Sequence, residues 1–214
     1  MADNPEFSHD IKDITDSTPI SEVPPIELSR GETITYRSDV SRVVEIPLVP
    51  ACEVLFDKNI ETSNSSANSK HFLKNPPFPA MIELSYDRLS LRNKKIAEKL
   101  GHISELSYPS GPSKKLHLEI PITSATTVGE IKQAFLALVN QFEPQALKPS
   151  EVREIQSIES IKGLNRTYGG TQDEAQIIAE EKAAGRYYDA DTRKFFPSKD
   201  LALAWKKENE AESE

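Results

Sequence analysis

The segment 127–142, TVGEIKQAFLALVNQF, narrows the possible folds of this chain more than any other stretch. Thr127 and Glu130 stand at capping-box spacing, in which each side chain satisfies a backbone N–H of a helix's first turn. Val128, Ile131, Phe135, Leu138 and Phe142 then recur at 3, 4, 3, 4, the spacing of one buried helical face. Just before it, KKLHLEIPI (114–122) alternates, with Leu116, Leu118 and Ile120 on one side of a strand. PSGPS (109–113) is a turn, and HISELSY (102–108) a candidate strand ahead of it. A striped helix and a one-faced hairpin each need a cover, and here they are neighbours. The result is a ββα unit and an α+β fold class.

Upstream, ETITYR (32–37), RVVEIPLV (42–49) and CEVLF (52–56) read as short strands rich in β-branched residues, with Pro47 marking an edge or a bulge. The Ser/Asn-rich run from Thr62 into KNPPFP makes 57–79 a polar loop. AMIELSY (80–86) alternates as a strand, and 87–100 is expected to be a helix stopped by Gly101. These elements form a β-rich body over 29–143.

After a connection at 143–149, the region 150–207 is expected to be small and mainly helical. A helix over 150–162 stops at Gly163, GLNRTYGG is a loop, and Thr171 with Glu174 opens a helix to Ala184, ended by Gly185. RYYDADTRKFF (186–196) is a hairpin, Ser198 caps a last helix through Trp205, and 208–214 is an acidic tail.

Composition enters through the charge. Residues 1–27 hold seven acids and one base, a net of −6 out of the whole chain's −8. Prolines interrupt them, and such a segment buries too little to offset the entropy of ordering it. Residues 1–28 are therefore expected to be a disordered acidic arm on a nearly neutral body. The longest apolar run, 134–139, is far short of the ~20 residues of a membrane span. With one cysteine and a polar, non-basic start, the expectation is an intracellular, cytoplasmic protein without membrane contact. The pattern fixes no oligomeric state.

No catalytic set, cofactor motif or metal set emerges. Cys52 lies in an apolar run where a thiol stays protonated. His9, His71, His102 and His117 are dispersed, and two ligands such as His117 with Glu119 are not a metal site. Asp189, Asp191 and Asp200 mimic positions 1, 3 and 12 of a calcium loop, but Arg193 and Lys194 occupy positions that need an oxygen ligand and a glycine. Five residues separate Gly163 from Gly169, and Gly170 stands where a P-loop needs lysine. A weaker anion site remains at Arg166, Gly169, Gly170 and Thr171.

Two features carry binding expectations. Arg88, Arg92, Lys95 and Lys99 recur at 4, 3, 4 on the expected helix, a basic ridge suited to phosphate or an acidic surface. Tyr187, Tyr188, Phe195, Phe196 and Trp205, interleaved with Arg186, Arg193 and Lys194, form a basic aromatic hairpin that serves either as an interface or as the core of a small region. The leading expectation is a non-catalytic interaction protein, an adaptor, regulator or assembly subunit whose partner is another protein. The alternative is accessory nucleic-acid binding. Overall acidity favours the first.

Overall fold

The computed structural model describes residues 14–26, 34, 36–73, 77–108, 111–167 and 172–210. Their fold is α+β, with two antiparallel sheets. The larger contains β1 (Thr62–Ser66), β2 (Ala80–Ser85), β3 (His102–Tyr108) and β4 (Gly111–Ile120), in the order β1-β2-β4-β3. The register sets Ile82 opposite Leu118 and Leu84 opposite Leu116, and all four are fully buried. The expected alternation is realised over 80–85 and 114–120, whereas β4 begins already at Gly111, inside the expected turn 109–113, and Tyr86 leaves the strand.

The helix α4 (Val128–Val139) covers that face together with α2 (Val49–Asp57). The Thr127/Glu130 capping box is formed, with Thr127 N–H donating to Glu130 Oε2 at 2.7 Å and Glu130 N–H to Thr127 Oγ1 at 3.3 Å. The buried stripe is Val128, Ile131, Phe135, Val139 and Phe142, with Leu138 at its margin.

The expected strands at 42–49 and 52–56 are instead α1 (Val40–Val43) and α2, preceded by a 3-10 turn, Arg37–Asp39. Pro50 lies in the first turn of α2, where a missing N–H is harmless. Ala51, Cys52 and Leu55 then share a buried face at helical spacing, which overrides the β-branched composition. The polar loop expected over 57–79 also contains structure. Its Thr62–Ser66 run is β1, and a 3-10 segment, Ser69–Leu73, follows. A strand at a sheet edge needs little apolar alternation, so composition concealed it.

The acidic arm is corrected where it is described. Residues 14–26 clasp the start of α4: Val128 N–H donates to Thr18 O at 2.9 Å, Gly129 N–H to Asp16 O at 2.9 Å, and Ile20 N–H to Thr126 O at 2.8 Å. Ile20 and Val23 are buried in the main core, and Asp16 pairs with Lys132 at 2.7 Å. Two apolar anchors and helix N–H groups that would otherwise lack partners outweigh the local acidity. Residues 1–13 and 27–28 of the expected arm lie outside the described residues.

The expected helix 87–100 begins later. Tyr86–Arg88 is a 3-10 turn, Leu89 and Ser90 are extended, and α3 runs Leu91–Leu100 with Ser90 as its cap. Gly101 ends it for a packing reason rather than a left-handed φ: a Cβ there would stand 2.4 Å from His117 O.

The C-terminal region holds α5 (Pro149–Arg153), α6 (Ile158–Thr167), α7 (Glu174–Ala183) and α8 (Lys199–Glu210). Gly163 lies inside α6 rather than stopping it, and residues 156–157 leave the expected helix to form β5 (Gln156–Ser157). The cap of α7 is Asp173, which accepts from Gln176 N–H at 2.8 Å, whereas Thr171 lies outside the described residues. The hairpin is present as β6 (Tyr187–Asp189) and β7 (Lys194–Phe196), with β5 on the free side of β7. The helix α8 extends into the expected acidic tail as far as Glu210.

Candidate functional site

A cleft of about 900 Å³ opens where α1, α2, β1 and the start of α5 meet. Its apolar floor comes from the helices that the sequence disguised as strands: Val40, Val43 and Val44 from α1 and the residue after it, Cys52 and Phe56 from α2. One wall is β1, which contributes the four consecutive residues Thr62, Ser63, Asn64 and Ser65. Successive strand residues face opposite ways. Ser63 Oγ donates to Glu83, whereas Thr62 and Ser65 lie beside the Cys52 thiol. A register irregularity between Thr62 and Asn64 breaks the alternation, and the cleft reaches beyond β1 to Ser85 of β2 and to Ser113, Lys114 and Lys115 of β4.

The rim is cationic. Arg88, Lys114, Lys115, Lys148 and Arg153 border the cleft, against Glu61 and Asp87. Both arginines bond the same carboxylate, that of Glu61, one to each oxygen. Burial alone would raise the carboxyl pKa of Glu61; the hydrogen bonds and charges of Arg88 and Arg153 outweigh it and bring it below the ordinary value. Lys115 is held 3.6 Å from Glu83, and Lys114 lies 3.9 Å from Glu105. Lys148 is exposed on the loop that leads into α5. The chain as a whole is acidic, so this local excess of positive charge is set against its surroundings.

Cys52 sits in the floor, 3% exposed. Burial pushes its thiol up to about 12 against the opposing hydrogen bonds of Ser65 and Thr62, so it is a small hydrophobe and not a nucleophile.

The basic ridge is not assembled as expected. The extended residues Leu89 and Ser90 take Arg88 off the helix and turn it to Glu61, at the cleft. Arg92, Lys95 and Lys99 remain on α3, with Arg92 paired to Glu143 at 3.2 Å. Of the weak anion site, Gly169, Gly170, Thr171 and the side chain of Arg166 lie outside the described residues.

The aromatic hairpin resolves as core. Phe195 and Phe196 are fully buried, Tyr188 stacks on Phe195 with ring centroids 5.0 Å apart, and Phe196 meets Trp205 at 5.9 Å. Tyr187 is half-buried. The cations serve the same packing: Lys194 lies over the Trp205 ring at 5.4 Å, and Arg193 pairs with Glu159 and Glu174 at 3.0 and 2.8 Å. Arg186 donates to Gln156 Oε1 at 2.9 Å and to Glu154 O. At the mimic of a calcium loop, Asp189 accepts from Thr192 and pairs with Lys206 at 2.6 Å, which makes a closed turn.

Two clusters were not anticipated from the sequence. On the outer face of the sheet His117 Nε2 lies 2.6 Å from Ser104 Oγ, and its Nδ1 lies 3.8 Å from Glu83 Oε2. The second distance exceeds hydrogen-bond reach, and Glu83 is engaged by Ser63 and Lys115, so the carboxylate does not orient the imidazole for catalysis. Beside β1, Ser66 Oγ meets His71 Nε2 at 2.8 Å, and Asn68 donates to Glu45 at 2.8 Å. Register across strands brings His117 to Glu83, a signal that no local motif carries. Among the described residues no group of three or more His, Cys, Asp or Glu side chains is placed to hold a metal, and no helix is long and apolar enough to cross a membrane.

Fold and cleft together define an α+β protein with an apolar-floored, cation-rimmed groove beside the larger sheet. Comparison with known protein families, curated proteins and solved structures finds no match to this chain.

Proposed function

We propose that this chain is a non-catalytic binding protein, an adaptor or assembly subunit, and that it engages another protein through the cleft between α1, α2, β1 and α5. The observation that carries this reading is the cleft's chemistry. Its apolar floor rewards burial of a side chain, and its rim holds more cations than carboxylates. The burial of Phe195 and Phe196 favours the cleft over the hairpin as the binding surface, and it takes two of the five rings out of reach of a stacked base.

Site-specific photo-crosslinking tests the reading. A photoreactive residue at the exposed cleft position Ser150 captures a protein partner in native lysate, and one at Glu180 on α7 does not. Capture from Ser150 is lost when Lys114→Glu and Lys148→Glu are combined. Equal capture from both positions, or capture that ignores the two substitutions, overturns the proposal. Binding of a single-stranded oligonucleotide that weakens steeply with salt supports nucleic acid instead.

A further inference from the structure

We infer that Lys94 of α3 and Lys194 of β7 together hold a phosphate-type oxyanion between α3 and the C-terminal sheet. Neither residue lines the cleft, so this site does not depend on how the cleft is read. The two lysines lie far apart in the sequence, and the fold brings them together by laying α8, which carries Trp205, against α3. Lys94 Nζ stands 5.8 Å over the Tyr86 ring, and Lys194 Nζ stands 5.4 Å over the Trp205 ring. Each ring face attracts its ammonium group and so fixes the direction of a long side chain. Both lysines are half-buried, and among the described residues neither forms an ion pair with a carboxylate.

The two ammonium groups are close enough to act on each other. Burial lowers the pKa of Lys94; Asp87 opposes that, and the charges of Lys194 and Lys114 add to it. The surrounding carboxylates have other partners. Asp87 accepts from Lys114 N–H at 2.7 Å, and Glu98 accepts from the Tyr86 hydroxyl at 2.9 Å. Asp189, opposite Lys194 across the hairpin, pairs with Lys206 at 2.6 Å, and Glu105 lies 3.9 Å from Lys114. Packing therefore holds Lys94 and Lys194 together as like charges without a counter-ion of their own, an arrangement that costs stability until an anion joins it. Each ammonium is a point charge with three donors, which matches a compact, doubly charged oxyanion; a planar carboxylate is better gripped by the fork of an arginine.

The test is titration of the full chain with inorganic phosphate at low salt and neutral pH, followed by calorimetry and by the emission of Trp205, the ring beneath Lys194. Phosphate should saturate a single site and shift that emission. Lys94→Met and Lys194→Met keep the aliphatic stems on their rings, and their folding is checked by circular dichroism. Each should weaken binding about tenfold, the loss expected when one hydrogen bond to a charged group is removed. Lys99→Met, at an exposed position of the same helix, should leave binding unchanged. Adenosine monophosphate distinguishes the sources of the anion: tighter binding through the same two lysines places the phosphate on a larger ligand, and equal binding assigns free phosphate. Absence of saturable binding overturns the site, as does binding that ignores both substitutions. A loss with Lys99→Met as large as with the other two also overturns it, because the attraction is then diffuse. A single-stranded oligonucleotide that binds through Lys94 and Lys194 while phosphate does not saturate overturns the small-anion site and assigns the pair to nucleic acid. Each of these failures leaves the crosslinking result from Ser150, and with it the reading of the cleft, untouched.

Discussion

Lys58 shows how one side chain organises the body. At the C-terminus of α2 its ammonium donates to three carbonyls that end α4 and the turn after it: Val139 at 3.0 Å, Asn140 at 3.1 Å and Phe142 at 2.7 Å. The last carbonyls of a helix lack internal partners, and a cation there also meets the negative end of the helix dipole. Burial lowers the pKa of the ammonium, yet these acceptors leave it in place as the bolt between the two helices. Lys58→Met keeps the aliphatic stem and removes the donors. It should cost about 1–3 kcal/mol in urea unfolding at neutral pH, with Lys58→Arg between the two. The thiol of Cys52 gives a second residue-scale expectation. Held at about 12 by burial, it should react with a disulfide reagent at pH 8 far more slowly in the folded protein than in guanidinium. Equal rates would show that the floor of the cleft is open to solvent.

Among the elements, α4 depends on a segment that its own sequence does not contain. Residues 14–26 satisfy its first N–H groups, and Gly129 permits the approach: a Cβ there would lie 2.9 Å from Asp16 O and 3.0 Å from Asp16 Cβ. Gly129→Val should push this segment off, lowering stability by about 1–3 kcal/mol as overpacking does, and it should expose 14–26 to limited proteolysis while α4 stays helical by circular dichroism. The same comparison explains what could be read in advance. The helix α4 and strands β2 and β4 were legible because each presents a clean period to one apolar neighbour. The helix α2 was not: Val49, Val54 and Pro50 imitate a bounded strand, and only the burial of Ala51, Cys52 and Leu55 on one face decides between the periods. TSNSS carries no alternation, so β1 is visible only through its pairing with β2. The hairpin's position was legible and its role was not, since a run of aromatics and cations suits a surface as well as a small core. The cleft escaped the sequence reading because its floor and wall are the two elements whose type was mistaken.

At the scale of the whole molecule, the C-terminal region meets the body where α8 lies against α3 and α6 against β4, and polar contacts join the two as well. Glu61, on the residue before β1, joins Arg88 of the body to Arg153 of α5, and Glu208 of α8 accepts from Ala146 N–H at 3.0 Å. The carboxylate of Glu61 is 11% exposed and its partners are more open, so it is the member whose charge state matters most. Its folded pKa lies below the unfolded value. The stability it contributes is therefore present above the unfolded carboxyl pKa of about 4.3 and is lost as pH falls through the folded one. Glu61→Gln removes the charge at every pH. Urea unfolding at pH 7 should show the variant weaker by about 2 kcal/mol, a figure below that for breaking a fully buried pair because both arginines retain solvent. The gap should narrow on acidification, as the pH falls through the lowered folded pKa and the wild-type carboxylate is protonated. A gap that does not narrow at any acidic pH at which the protein stays folded would show that Glu61 acts through its shape and not its charge. Arg153→Ala should reproduce the loss at pH 7 while leaving the emission of Trp205, the chain's single tryptophan, unchanged, because that ring packs on Phe196 inside the C-terminal core and not on the junction.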